Sequence, residues 1–249
     1  MVSIGRRLVE TAATAVTAGA FGAAVGSLVG VPFVAGSLAA ANGAISGWRR
    51  TYDWSCSTGP VAFVLDSTWG LPMTAAGLFA NAVGIVQRDA GYVPELSERQ
   101  NRHVYRRGFM PRRGFAITLG NVIGGAGDID RPRRRRLVTD HEDVHCWQAR
   151  WLGPVFPLAY VGWTLFAGVA GIVVWAIRRR DERITKVVES TAYYLNPLEW
   201  WAYSRDDHWP PTGKVAGLGW RRPCCRPLSA VRGDRAVSEP RRAPGGVRR

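Results

Sequence analysis

Cysteine and histidine are scarce in this chain. Its 249 residues include four of each, beside 33 lysines and arginines and 19 carboxylates. Cys56, Cys146 and the adjacent pair Cys224–Cys225 follow no regular spacing. Neighbours in sequence bridge each other only under strain, so no disulfide framework can be read here. Free thiols in a reducing compartment are expected, with Cys146 as a small packing residue. Also missing is any basic element interleaved with aromatics, which argues against nucleic acid as a partner despite a net charge of +14. Half of that charge is local. Residues 221–249 carry nine arginines against Asp234 and Glu239, a net of +7, and the other 220 residues share the remaining +7. A mildly basic body of this kind suits an anionic membrane surface, with lipid as a partner.

Charge itself is absent over long stretches. None occurs from Thr11 to Trp48, well beyond the ~20 residues that one membrane helix needs. Gly22, Gly26 and Gly30 recur every four residues, and Gly43 and Gly47 repeat the interval. That spacing lines one helix face with small residues and lets two backbones approach closely, within the chain or in a homo-oligomer. Pro32 predicts a hydrophobic hairpin of two short helices over residues 1–50, and the arginines at 6–7 and 49–50 place both ends on the cytoplasmic side. Ser67–Gln87 is also uncharged, interrupted by Gly70 and Pro72, and suits a span or a packed helix equally.

Leu152–Ile177 is the third apolar run. Arg133–Arg136 and Arg150 precede it and Arg178–Arg180 follow, so both ends are expected on the cytoplasmic side. Pro157 and the glycines offer places to bend, and a run of this length cannot cross a bilayer and return. A shallow hairpin is therefore the expectation. After Pro211 the composition shifts to Arg, Pro and Gly, and residues 212–249 read as a disordered basic tail.

Between these runs, His103 lies in a polar stretch and reads as exposed, and Asp130–Arg136 reads as a basic loop. Phe115–Ile123, "FAITLGNVI", has the β-branched and apolar character of a strand, closed by Gly124 and Gly125. The stretch that carries chemistry is "HEDVHCWQ", residues 141–148. On an α-helix, residues four apart lie about 40° apart around the axis, so His141 and His145 present their rings to one point. Two imidazoles there can hold one face of a zinc ion. Glu142, rotated by about 100°, reaches a water activated by that ion without ligating the metal, which is the placement of a general base. Val144, Trp147 and Trp151 fall on a neighbouring stripe that is expected to face the core. A third ligand is sought in "NPLEWWAY". Asn196 as cap and Pro197 at the first helical position predict a helix start that places Glu199 in the first turn. Asn-x-x-Glu also fits a capping box, in which Glu199 only satisfies a backbone N–H, and Glu189 is the other candidate ligand.

The order "FAITLGNVI", "HEDVHCWQ", "NPLEWWAY" resembles bacterial zincin-like domains, which carry a T-x-G-N-x-I strand, an HE-x-x-H-x-x-Q helix and a later N-P-x-E-x-x-A motif. The likeness covers Phe115 to about Asp207. It implies a metallopeptidase-type core with His141, His145 and Glu199 as zinc ligands, Glu142 as catalytic base and Gln148 as the matching glutamine. The N-terminal segment separately resembles glycine-zipper membrane segments. The expected architecture is mainly α with a small β element before the HExxH helix. The hairpin occupies residues 1–50, a zincin-like domain with an embedded apolar segment at 152–177 occupies 51–211, and the tail follows. The function implied is a membrane-associated, zinc-dependent hydrolase of peptide-like substrates at the cytoplasmic face of the cell membrane. The rival is a non-catalytic, membrane-anchored scaffold with a relic or structural metal site.

Overall fold

The uncharged N-terminal run folds as two antiparallel helices, α1 (Ile4–Ser27) and α2 (Pro32–Trp48), in a computed structural model that describes residues 3–178, 182–215 and 217–232. Gly30, at φ +78°, reverses the chain, and Pro32 opens α2 where a helical N–H has no partner anyway. The small residues act as their spacing suggests. A Cβ on Gly22 would stand 2.6 Å from the Ala35 carbonyl oxygen, and one on Gly43 would stand 2.5 Å from that of Thr14. Thr14 uses this closeness to donate a 2.7 Å hydrogen bond to the Gly43 carbonyl. The undecided stretch at 67–87 begins at the last residue of α3 (Thr58–Ser67) and forms α4 (Leu71–Val86), and the two helices meet at 92° across a three-residue break containing Gly70.

The β element is a three-stranded sheet in the order β1-β3-β2, formed by β1 (His103–Val104), β2 (Ile117–Leu119) and β3 (Val122–Gly124). "FAITLGNVI" is thus not one strand. It turns at Gly120, at φ +57°, so that β2 and β3 pair antiparallel while β1 joins β3 in parallel. A side chain at Gly120 would collide with the Met73 carbonyl of α4, which is why the turn falls there. His103 is a second correction. It is fully buried in β1, with Nε2 3.0 Å from Ser46 Oγ of α2. Burial, with Arg49 and Arg150 nearby, holds its pKa well below the ordinary value, so it is a neutral packing group and not a surface one.

The chain then runs through a short exposed helix, α5 (Pro132–Arg136), where a loop was expected. A π-helical turn (Leu137–Glu142) leads on into α6 (Asp143–Leu152). Val144, Cys146, Gln148, Ala149 and Arg150 are all buried, but Trp151, expected in the core, is 56% exposed and Trp147 is half-buried. Cys146 packs with Val104, Ile123, Ile129 and Val138 behind the sheet, and all four cysteines are free. Arg150 is wholly buried against Asp66 of α3, Nε to Oδ1 at 2.9 Å and Nη2 to Oδ2 at 3.0 Å. It therefore stands as half of an internal ion pair and not as a charge that orients the following apolar run.

That run is the largest departure from expectation. Residues 152–177 do not form a hairpin. They end α6 and then form one continuous helix, α7 (Val155–Ile177). Pro157 lies in its first turn, where no backbone N–H is required, so it does not bend the helix. The reversal comes afterwards. α8 (Ile184–Glu189) and a second π-helical turn (Ser190–Tyr194) run back along α7, with Trp175 Nε1 bonded to the Glu182 carbonyl and Trp163 Nε1 to that of Thr191. Gly171 leaves the room that Val188 and Thr191 occupy. α9 (Pro197–Arg205) follows. α1 and α7 are each long and apolar enough to cross a membrane, and α3 and α4 make a third candidate only if taken together. Within the segment 212–249, Trp220 stacks on Trp200 at 4.9 Å and donates to the Leu195 carbonyl, while residues 233–249 lie outside the described residues.

Candidate metal centre

Because the chain returns along α7, Glu199 arrives beside the histidines. His141 comes from the π-helical turn, His145 from α6 and Glu199 from the first turn of α9. One ligand atom from each lies within 4.8 Å of the other two, and all three residues are buried. His141 Nε2 is 3.5 Å from Glu199 Oε2, and His145 Nε2 is 3.4 Å from Glu199 Oε1. Donors held at 2.0–2.1 Å around a tetrahedral ion stand about 3.3 Å apart. The carboxylate is thus spaced from each imidazole as two ligands of one ion would be. Among the described residues, this is the group of three or more such side chains able to hold a metal.

The capping-box role for Glu199 is not used. Asn196 caps α9 by accepting from Leu198 N at 3.0 Å, as expected, but its own N–H goes to the Tyr193 carbonyl. Glu199 instead spends Oε1 on Tyr160 Oη of α7, which donates at 2.7 Å, and its Oε2 is buried with no hydrogen-bond partner. Glu189, the other candidate ligand, is on the wall of the same cavity but pairs with Lys214 Nζ at 3.1 Å. It is not part of the donor group.

The outer nitrogen of His145 is directed as well. His145 Nδ1 is 2.8 Å from Gln148 Oε1, and Gln148 in turn donates to the Leu198 carbonyl of α9. A partner of this kind fixes the His145 ring and directs its Nε2 inward. His141 Nδ1 is buried without a hydrogen-bond partner, 3.8 Å from Asp206 Oδ2, and Asp206 is anchored by Arg133 Nη1 at 2.9 Å. Tyr203 packs edge-on against the His141 ring, with centroids 4.4 Å apart.

Charge coupling within the group is strong. Burial alone would push the His145 pKa down, but the Glu199 charge and hydrogen bond override it and bring the value up to about 9. Burial alone would raise the Glu199 carboxyl, yet His145 and His141 hold it well below the usual carboxylate range. The carboxylate is therefore ionised and ready to ligate a cation. The orphaned acceptor Oε2, the converging imidazoles and the directed outer nitrogen of His145 together fit a metal ion.

Glu142 is buried at the same cavity and is not one of the three grouped ligands. Its Oε2 accepts a 2.7 Å hydrogen bond from Thr118 Oγ1 of β2. The cavity, about 500 Å³, has His141, His145, Glu199 and Glu142 on its polar side and mainly apolar walls elsewhere. Tyr160 and Asp206 have no motif around them, and sequence reasoning missed both; Thr118 is the threonine of the T-x-G-N-x-I stretch, but no role was read for it there. Tyr160 and Tyr193 are on the cavity wall. No protein-family model, no curated protein and no solved structure matches the chain.

Proposed function

We propose that the protein is a membrane-associated, zinc-dependent hydrolase acting on peptide bonds, with His141, His145 and Glu199 as ligands and Glu142 as general base. The observation that carries this reading is the placement of an unligated, buried carboxylate, Glu142, at the cavity edge of a two-histidine, one-carboxylate donor group. Three protein ligands leave a tetrahedral ion one open position, whereas structural zinc sites are closed by four. A bound zinc ion supplies Lewis-acid polarisation and lowers the pKa of water. Within the protein, Thr118 orients Glu142, and Glu142 takes the proton of the attacking water. Oxygen adds to the carbonyl carbon, the C–N bond breaks and the proton passes to the leaving amine. β2 is an edge strand, and Ala116–Leu119 are on the cavity wall. An extended peptide laid along that edge meets unpaired backbone donors and acceptors. α1 and α7 provide the membrane attachment, and the arginines of α5, beside the site, favour its cytoplasmic side.

The test is metal content per chain by mass spectrometry on detergent-purified protein, followed by a peptide-cleavage screen. One zinc per chain is expected in wild type and Glu142→Gln, with loss in His145→Ala and Glu199→Ala. Cleavage is expected in wild type alone. Absence of metal after zinc is supplied would remove the hydrolase reading and leave the anchored scaffold. Zinc without Glu142-dependent cleavage of any peptide would leave a structural metal site.

A further inference from the structure

The walls of the metal cavity run without a break into the surface of α7 that is long and apolar enough to lie in a bilayer. Val161 belongs to both: it lines the cavity and is 54% exposed. Leu158, Val161, Leu165, Val169 and Ile172 follow at intervals of three and four, all between 47% and 73% exposed, so they make one outward stripe. Depth along the helix is fixed by Tyr160, which is hydrogen-bonded to Glu199 and is the sixth residue of α7. At 1.5 Å per residue it lies about 8 Å from the start of a helix about 35 Å long. The donor group therefore stands beside the first quarter of α7, which in a helix crossing a bilayer is the level near the headgroups.

The mouth of the cavity has matching chemistry. Residues 111–115 form an exposed loop in which the Arg112 guanidinium covers the Phe115 ring at 4.2 Å, and both side chains line the opening. An apolar ring beneath a cation suits the bilayer interface. Met73, Phe115, Leu119, Phe156, Pro157 and Val161 then give the interior an apolar lining. Glu189, the carboxylate on that wall outside the metal group and Glu142, is paired with Lys214.

Resting on the hydrolase reading above, we infer that the site takes its substrate from the lipid side: an apolar segment of a membrane-associated polypeptide, entering between Phe115 and Val161. The apolar walls select an apolar chain, and the open edge of β2 selects a backbone with N–H and C=O groups to pair, which an acyl chain lacks.

The test uses full-length, zinc-loaded Glu142→Gln protein, reconstituted in vesicles of phosphatidylcholine and phosphatidylglycerol. A benzophenone amino acid replaces Val161 or Phe115. Two biotinylated peptides of equal length are offered: a leucine- and alanine-rich one that partitions into the bilayer, and a water-soluble one rich in serine and glutamate. The inference expects both positions to capture the apolar peptide about tenfold more than the soluble one. It also expects Val161→Arg to reduce capture at position 115 about tenfold with zinc content unchanged. Equal or preferred capture of the soluble peptide, or crosslinking to lipid alone, would overturn it. Zinc content measured on the same samples separates the two levels. Protein without zinc refutes the hydrolase reading, whereas zinc-loaded protein that ignores the apolar peptide refutes only the route from the lipid.

Discussion

Tyr160 Oη donates a 2.7 Å hydrogen bond to Glu199 Oε1, joining the second turn of α7 to the metal-donor group. The helix that is apolar enough for a bilayer thus holds a carboxylate that has to be aimed. A phenol in this position removes one rotational choice from Glu199 and leaves the second oxygen for the ion.

Replacing that phenol tests the link. Tyr160→Phe keeps the ring and deletes the donor. Zinc affinity, measured by competition with a chromophoric chelator, is expected to weaken by about 10- to 100-fold, the usual effect of losing a partner that orients a ligand. An unchanged dissociation constant would mean that Glu199 is aimed by its helix alone.

The pH dependence follows from His145. Its pKa in the folded, metal-free protein is raised from 6.5 to about 9 by Glu199. A raised value stabilises the fold fully below pH 6.5 and ceases to do so as pH climbs through 9. Chelator-stripped protein is expected to show a melting midpoint that falls over this window, and His145→Gln is expected to flatten the slope. The same proton must leave for an ion to bind. Zinc affinity therefore rises with pH up to about 9, with about one proton released per ion at neutral pH. Calorimetry in buffers of different ionisation enthalpy measures that proton, and none released would contradict the coupling.

Thr118→Val separates base positioning from metal binding. Zinc content is expected to stay at the wild-type level, while Glu142-dependent cleavage falls by about tenfold or more as the carboxylate loses its hydrogen bond from β2. Loss of zinc instead would place Thr118 in the folding of the site and not in its chemistry.

The Asp66–Arg150 pair sets the frame behind the site. Tyr52 Oη also donates to Asp66 Oδ2 at 3.0 Å, and Arg150 packs its guanidinium against the Trp147 ring. Asp66→Ala strands a buried cation and is expected to destabilise the protein by about 3–5 kcal/mol, read as a large drop in the thermal midpoint. The double substitution Asp66→Leu, Arg150→Leu removes both charges, and recovery of much of the loss is expected. A double variant no more stable than Asp66→Ala would show that the hydrogen bonds, and not the stranded charge, dominate.

Much of this protein is legible in short stretches of sequence. The four-residue spacing of His141 and His145, the Asn196–Pro197 helix start and the glycine intervals of the first 50 residues are local patterns. Local backbone geometry converts them into faces and caps with few alternatives. Their outcome in three dimensions follows the pattern: two imidazoles converge, α9 begins at Pro197, and α1 and α2 pack at the distance glycine allows. The β-branched run before the motif was equally legible as strand, but not its division at Gly120, which depends on the carbonyl of Met73 from a helix far back in the chain.

What the sequence left open was decided by contacts between distant residues. Arg150 counted as a surface charge until Asp66, 84 residues away, neutralised it in the interior. Pro157 suggested a bend, yet its place in the first turn of α7 made the missing N–H harmless, so the apolar run formed one continuous helix and the reversal moved beyond Ile177. The choice of Glu199 over Glu189 turned on the same return path. Only the packing of α8 and the second π-helical turn along α7 sets which carboxylate reaches the histidines, and which meets Lys214 instead. Side-chain chemistry and local geometry specify what each residue is able to do. Burial and long-range packing determine which of those abilities the fold brings together.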